Sequence, residues 1–370
     1  TPPTGFVALN TYNLPTPTIG GTSTTLANKY FDTTLYTGNG GSQTITNAGS
    51  LAPDFVWLKC RDTNATNHLL EDTIFGTKSS WFTNGAYADS TDRGVSAFNS
   101  SGFSFNDSAG GDGNGNGQAH VAWQWNAGGA NTTNSSGSIT AIVRANPTAG
   151  FSISKYAGNG TAGATVGHGL GVAPNMLFIK ARTGASAGLV WHTGYGSNQA
   201  QMLLNSSSAI YNPGNGLYFN STTPGSSVVT LGTSSTVNDA TYTYTMYAWA
   251  AVAGYSAFGT FTGTGNTNGP FIYTGFRPRF ILSKLSSGGS NVASWQIWDT
   301  SRETYNAQVK YMAPNTTDSE SDSAPTYTAL DTLSNGFKLR CDGIYGQNQS
   351  GGVYIWAAFA ENPFKYSLAR

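Results

Sequence analysis

Charge is scarce in this chain of 370 residues, where Asp, Glu, Lys and Arg make up 10% against about a quarter in typical soluble proteins. Eighteen basic and eighteen acidic residues cancel, which removes the electrostatic footprint that a nucleic-acid backbone or an anionic membrane would need. Neither partner is expected. No stretch approaches the roughly 18 apolar residues that span a bilayer, and residues 1–28 lack the basic start and apolar core of a secretory signal. The chain opens at Thr1 instead of Met and is expected to be a piece of something longer. Its two cysteines, Cys60 and Cys341, lie far apart without CxxC or Cys/His spacing, so buried free thiols are expected.

Residue types that carry catalysis are equally sparse. The four glutamates are Glu71, Glu303, Glu320 and Glu361. A glycan hydrolase needs two carboxylates about 5–9.5 Å apart, but Glu71 and Asp72 are adjacent in a strand and point to opposite faces. Glu303 near Asp299 is the least poor pair. His68, His120, His168 and His192 stand alone with no paired-ligand spacing, and there is no Gly-x-Ser-x-Gly elbow with a plausible partner order. No catalytic residue and no cofactor is expected. The one metal-like run is Asp112-Gly-Asn114-Gly-Asn116-Gly117, which matches the first half of a calcium loop. Trp123 stands where the bidentate Glu belongs, so a hairpin tip without metal is the expectation. A solvated loop is expected for Asp318-Ser-Glu320-Ser-Asp322.

What the chain has instead is 47 glycines, nearly twice the roughly 7% typical, with much Ser, Thr and Asn and 13% aromatics. That composition disfavours long helices and favours short strands joined by tight turns. The expected fold class is all-β.

Internal repetition sets the expected organisation. Tyr36-Thr-Gly-Asn-Gly40, Tyr156-Ala-Gly-Asn-Gly160 and Phe261-Thr-Gly-Thr-Gly265 each open a copy. Each leads to a Pro with Lys six residues later: Pro53 to Lys59, Pro174 to Lys180 and Pro278 to Lys284. A second strand then ends at Asp72, His192 or Asp299, and an aromatic strand closes the copy (Val121–Trp125, Met246–Trp249, Ile355–Phe359). Phe55-Val-Trp-Leu58 is apolar at every position, so both faces of that strand are expected to be covered. The spacing predicts three tandem β-sandwiches, over 29–128, 149–256 and 257–370. Residues 1–28 form a lead, and 129–148, which holds the polar run Gly128–Gly137, reads as a flexible linker. The three sandwiches are expected to stand separately.

Carbohydrate binding uses exposed flat rings flanked by Asn, Asp or Gln. Trp81, Tyr87, Tyr211, Trp295 and Tyr345 sit among Gly, Ser and Asn in loop-like contexts and are the candidate ligand-binding residues. Trp123 and Trp125 alternate along one strand and read as interior.

The run Thr1–Pro15, the Tyr-Thr-Gly-Asn-Gly openings, the Pro53-Asp-Phe-Val-Trp-Leu-Lys59 strand and the ending Ala357–Tyr366 resemble repeat modules of bacteriophage virion proteins, mainly of marine phages. Such modules are found in tail-fibre or host-attachment proteins after a SPRY-type, concanavalin-like domain. The chain departs from that pattern at Leu51, where Gly-Phe normally precedes Pro. The resemblance implies a lectin-like sandwich of concanavalin/SPRY-like or jelly-roll-like type, a virion-surface (extracellular) location and a homotrimeric fibre contacting other virion subunits and a cell-surface glycan. It brings no catalytic residue. A purely structural capsid or tail decoration and a glycan-degrading tailspike are the alternatives.

Overall fold

The computed structural model describes residues 18–20, 25–195, 200–212, 214–290, 293–322, 328–343 and 346–361. They form an all-β protein of antiparallel sheets with short 3-10 turns and one four-residue helix, Ser235–Asn238.

Three main sheets share one strand order. In the first unit the opening strand Phe31–Thr37 pairs with the closing strand Ala119–Trp125, which pairs in turn with Phe55–Cys60, Leu69–Asp72 and Trp81–Phe82. The second unit repeats the order as Phe151–Ala157, Thr243–Trp249, Met176–Ala181, Leu189–His192 and Met202–Leu203. The third has Ser256–Thr262, Val353–Ala360, Pro278–Ser287 and Gln296–Asp299. Each opening and closing strand is distant in sequence yet paired, because the Tyr/Phe-x-Gly-x-Gly turn lets the chain leave and return at one edge. The aromatic that begins the turn stacks across the pair: Tyr36 on His120, Tyr156 on Tyr244 and Phe261 on Tyr354, with centroids 5.2, 5.1 and 4.8 Å apart. The first glycine is required by close approach. A Cβ on Gly38, Gly158 or Gly263 would lie 2.3, 2.2 or 2.2 Å from the carbonyl oxygen of Gly115, Asp239 or Gln349.

The expected linker 129–148 is corrected. It contributes strands Thr132–Asn134 and Ala141–Asn146, which extend the second sheet beyond Phe151–Ala157. Polar residues are tolerated there because Ile142 and its neighbours alternate between an exposed and a buried face, as at a sheet edge.

Separate sandwiches are corrected too. Each main sheet carries a smaller sheet or strand pair of its own unit, such as Ser42–Thr46, Gly102–Asn106 and Ala97–Asn99 in the first. Val56 and Leu58 pack in that outer core, whereas Phe55 and Trp57 enter a second core common to all three units. The second unit divides likewise, with Leu177 and Ile179 outward and Met176 and Phe178 inward. Every position of Phe55–Leu58 is therefore buried, as the uninterrupted apolar run required. The common core is aromatic: Phe55 lies 4.5 Å from Tyr247, Trp125 6.2 Å from Trp249, Trp125 5.7 Å from Phe280 and Phe31 5.2 Å from Phe359, by ring centroids. Rings of this size contribute most of the apolar area in a core, and edge and tilted contacts add to it.

Candidate functional surface

The residues ending the strands Leu69–Asp72, Leu189–His192 and Gln296–Asp299 form a cycle. Asp72 Oδ2 accepts the Tyr247 hydroxyl at 2.7 Å and Arg182 Nη1 at 3.0 Å, joining the first unit to the second. Asp299 Oδ2 accepts Trp123 Nε1 at 3.1 Å, joining the third to the first. His192 Nε2 lies 3.1 Å from the Trp356 carbonyl oxygen, joining the second to the third. Trp123 and Tyr247 occupy one register position, and its third copy is Ala357. Having no side-chain donor there, the third unit offers a backbone carbonyl, so a donor is needed opposite and histidine replaces aspartate. In each case a second atom of the same side chain caps the following turn: Asp72 Oδ1 accepts from Ile74 and Phe75, Asp299 Oδ1 from Ser301 and Arg302, and His192 Nδ1 from Gly194.

The lysines close the same ring. Lys59 donates to the Thr317 carbonyl in the third unit (3.1 Å), Lys180 to Tyr87 in the first (2.7 Å) and Lys284 to Ser207 and Ser208 in the second (both 2.9 Å). Beside each, a backbone bond repeats the contact: Glu320 N to Arg61 O, Asp89 N to Arg182 O and Ile210 N to Ser286 O. The loops 87–89, 207–210 and 317–320 are thus straps laid over the neighbouring unit. Loss of hydration pushes the ammonium groups of Lys59 and Lys180 down to about 8 and that of Lys284 to about 7.

The four glutamates and four histidines are taken up in packing and ion pairs. Glu71 accepts from Ser80 Oγ and from the Lys78 and Val95 amides, and burial pushes it up to about 8. Glu303 Oε2 accepts the Val309 and Lys310 amides at 2.7 and 2.8 Å, while Asp299 is held by Arg302. Glu320 bridges Arg61 and Arg302, and Glu361 pairs with Arg277. The Asp318–Asp322 run is therefore corrected from a solvated loop to a strap anchored by Glu320. His68 accepts Trp57 Nε1 at 3.0 Å, and burial lowers His68 well below its usual value. Burial also lowers His168, and takes His120 and His192 to about 4. Cys60 and Cys341 are buried free thiols.

In the Asp112 loop the carboxylate is bound by Arg93 Nη1 (2.8 Å) and by the Asn67 amide (2.6 Å). The Asn114 side chain accepts the Asn39 amide and donates to the Gly41 and Asp107 carbonyls. Asn238 and Asn348 do the same at the other two turns, toward Asn159 and Thr264. Asn114 is thus one of three turn-holding amides, and Asn116 stands exposed beside it, next to Gly40.

Two of the five candidate rings are corrected. Trp81 and Trp295 are fully buried, with Nε1 donating to the Tyr247 hydroxyl (3.2 Å) and the Leu203 carbonyl (2.9 Å) of the second unit. Their flanking Gly and Ser read as loop because the groups that bury them come from another unit. Tyr345 lies outside the described residues. Tyr87 and Tyr211 are 58% and 54% exposed, Tyr87 on the strap 87–89 and Tyr211 directly after the strap 207–210. Tyr87 borders an open depression of about 330 Å³ lined also by Asn67, Phe82, Ser90, Asp92 and Arg93.

A family model for a domain of unknown function, DUF7483, matches residues 27–363. The chain belongs to the DUF7483 family. That match spans all three sheets, so the ring as a whole is what the DUF7483 domain comprises. No curated protein and no solved structure gives a significant match to this DUF7483 chain.

Proposed function

We propose that this DUF7483 chain is a surface protein of a bacteriophage virion, a tail fibre or similar module, that works by presenting binding and assembly surface and not by catalysis. The reading rests on the resemblance of its repeats to phage virion modules. The observation that carries it physically is the assignment of buried charge. Lysines, carboxylates and histidines join unit to unit, while the exposed rings of Tyr87 and Tyr211 stand on or directly beside straps anchored by that same network. Rings fixed in advance bind with little further loss of entropy. Assembly into a homotrimer and contact with other virion subunits and a cell-surface glycan complete the proposal.

The test is to raise antibodies to the chain and locate them by electron microscopy on virions of the phage that encodes it, together with cell adsorption and a reducing-end assay. Surface labelling with adsorption and without sugar release supports attachment. Labelling without adsorption favours the purely structural decoration, and steady sugar release makes the chain a hydrolase.

A further inference from the structure

We infer that the Tyr87 depression is a subsite for one or two rings of a neutral glycan, an inference that rests on the surface-binding reading above. Its volume of about 330 Å³ falls at the low end of the roughly 300–1,000 Å³ of small-molecule sites, which limits it to a ligand of that size.

The chemistry is that of a sugar. Tyr87 supplies a flat exposed ring whose conformation is set from three sides. Its carbonyl accepts Lys180 Nζ at 2.7 Å, its ring meets Phe82 edge-on at 6.2 Å, and it lies over Gly85, where a Cβ would come within 2.0 Å of ring carbon Cε2. Two residues on, Asp89 is clamped by Arg182 Nε. A pyranose C–H face packs on such a ring without requiring it to order first.

Around the ring are planar polar groups that can each meet two adjacent hydroxyls. The Asp92 side chain is 80% exposed, and Ser90 Oγ donates to its Oδ1. Arg93 commits Nη1 to Asp112 and keeps further donors on its guanidinium. Asn67 is fixed behind them by Asp112 and by Asn84 Nδ2.

Charge selects the class of sugar. Arg93 is matched by Asp112 at 2.8 Å and by Asp92 at 4.0 Å, so no net positive charge is left for a sulfate or a uronic carboxylate. A neutral hexose or N-acetylhexosamine fits.

The other straps do not repeat the site. Tyr211 packs edge-on against Tyr218 at 6.5 Å, and the strap 317–320 carries no ring. The lysine and backbone contacts recur at all three interfaces, whereas the side chains at the strap tips have diverged, so binding specificity resides at one of the three.

The experiment is saturation-transfer NMR on the full chain with the methyl glycosides of glucose, galactose, mannose and N-acetylglucosamine as probes. At least one glycoside should take up saturation on its ring protons, with a Kd on the order of 1 mM. Tyr87→Ala should weaken it about tenfold and Asp92→Asn by a smaller factor, while Tyr87→Phe and the remote Tyr273→Ala bind like wild type. Tyr87→Ala should fold normally, because Lys180 holds the backbone carbonyl and not the ring. A thermal transition at the wild-type temperature checks this. No saturation with any glycoside, or saturation untouched by Tyr87→Ala, overturns the subsite. Cell adsorption measured in parallel separates the two ideas. Adsorption by the wild type without saturation that depends on Tyr87 removes the subsite and leaves the surface reading standing, whereas absence of adsorption and of saturation in the wild type removes both.

Discussion

Lys284 in the third unit donates its ammonium to the carbonyl oxygen of Ser207 in the second at 2.9 Å, and among the described residues no carboxylate is a hydrogen-bond partner of it. Lys284→Met should cost about 2 kcal/mol at pH 7, since the Ser207 and Ser208 carbonyls lose their donor while the burial cost of the charge is relieved. Burial lowers this group from 10.5 to about 7. Between those values the unfolded chain holds a proton that the folded chain has released, so the group's contribution to stability rises with pH across the window. Urea denaturation should show the gap between wild type and Lys284→Met widening by about 2 kcal/mol from pH 7 to pH 9. A constant gap would mean that Lys284 keeps its proton in the fold.

His192 gives the opposite end of the pH scale. Its folded value of about 4 lies below the ordinary 6.5, so the unfolded state binds more protons between the two. Its contribution is therefore fully present above pH 6.5 and is lost as the pH falls toward 4. His192→Asp copies the residue of the sister units but sets a carboxylate against the Trp356 carbonyl. The variant should lose at least about 2 kcal/mol at pH 7, measured by urea denaturation. Unchanged stability would remove the donor requirement at this interface.

Arg182 serves two carboxylates of the first unit, Asp72 at 3.0 Å and Asp89 at 2.6 Å, and all three are buried or nearly so. Arg182→Leu leaves both carboxylates without their cation. A loss of about 3–5 kcal/mol is expected by chemical denaturation, the size found when one partner of a buried pair is removed.

The turn-holding amides are a local test. Asn238 Nδ2 donates to the Thr161 and Gly232 carbonyls at 3.0 Å each, and its Oδ1 accepts the Asn159 amide. Asn238→Asp removes both donors and should cost about 2–4 kcal/mol, read as a lowered thermal transition. Asn116→Asp, at the exposed neighbour of Asn114, should change stability by less than about 0.5 kcal/mol.

Much of the local fold was legible in the sequence. Proline at 53, 174 and 278 heralded the strands Phe55–Cys60, Met176–Ala181 and Pro278–Ser287, and the apolar run Phe55–Leu58 announced a strand covered on both faces. The relation between units was not legible. Lys59, Lys180 and Lys284 recur at one spacing, but their partners Thr317, Tyr87 and Ser207 share no residue type, because a backbone carbonyl is what each lysine uses. Trp81 and Trp295 were misjudged for the same reason. Their neighbours suggest loops, and the atoms that bury them come from another unit. Gly128–Gly137 misled through composition, since an edge strand tolerates the same polar residues as a linker. Of the expected binding residues, Tyr87 and Tyr211 are exposed in the fold, and nothing local in sequence distinguishes them from the two buried tryptophans.

The central claim is that the three units form one closed ring and not three independent sandwiches. Differential scanning calorimetry of the full chain over a wide range of protein concentration tests it most directly. One transition, with equal calorimetric and van't Hoff enthalpies at each concentration, is predicted for a core completed within a single chain. Separate transitions would contradict the ring.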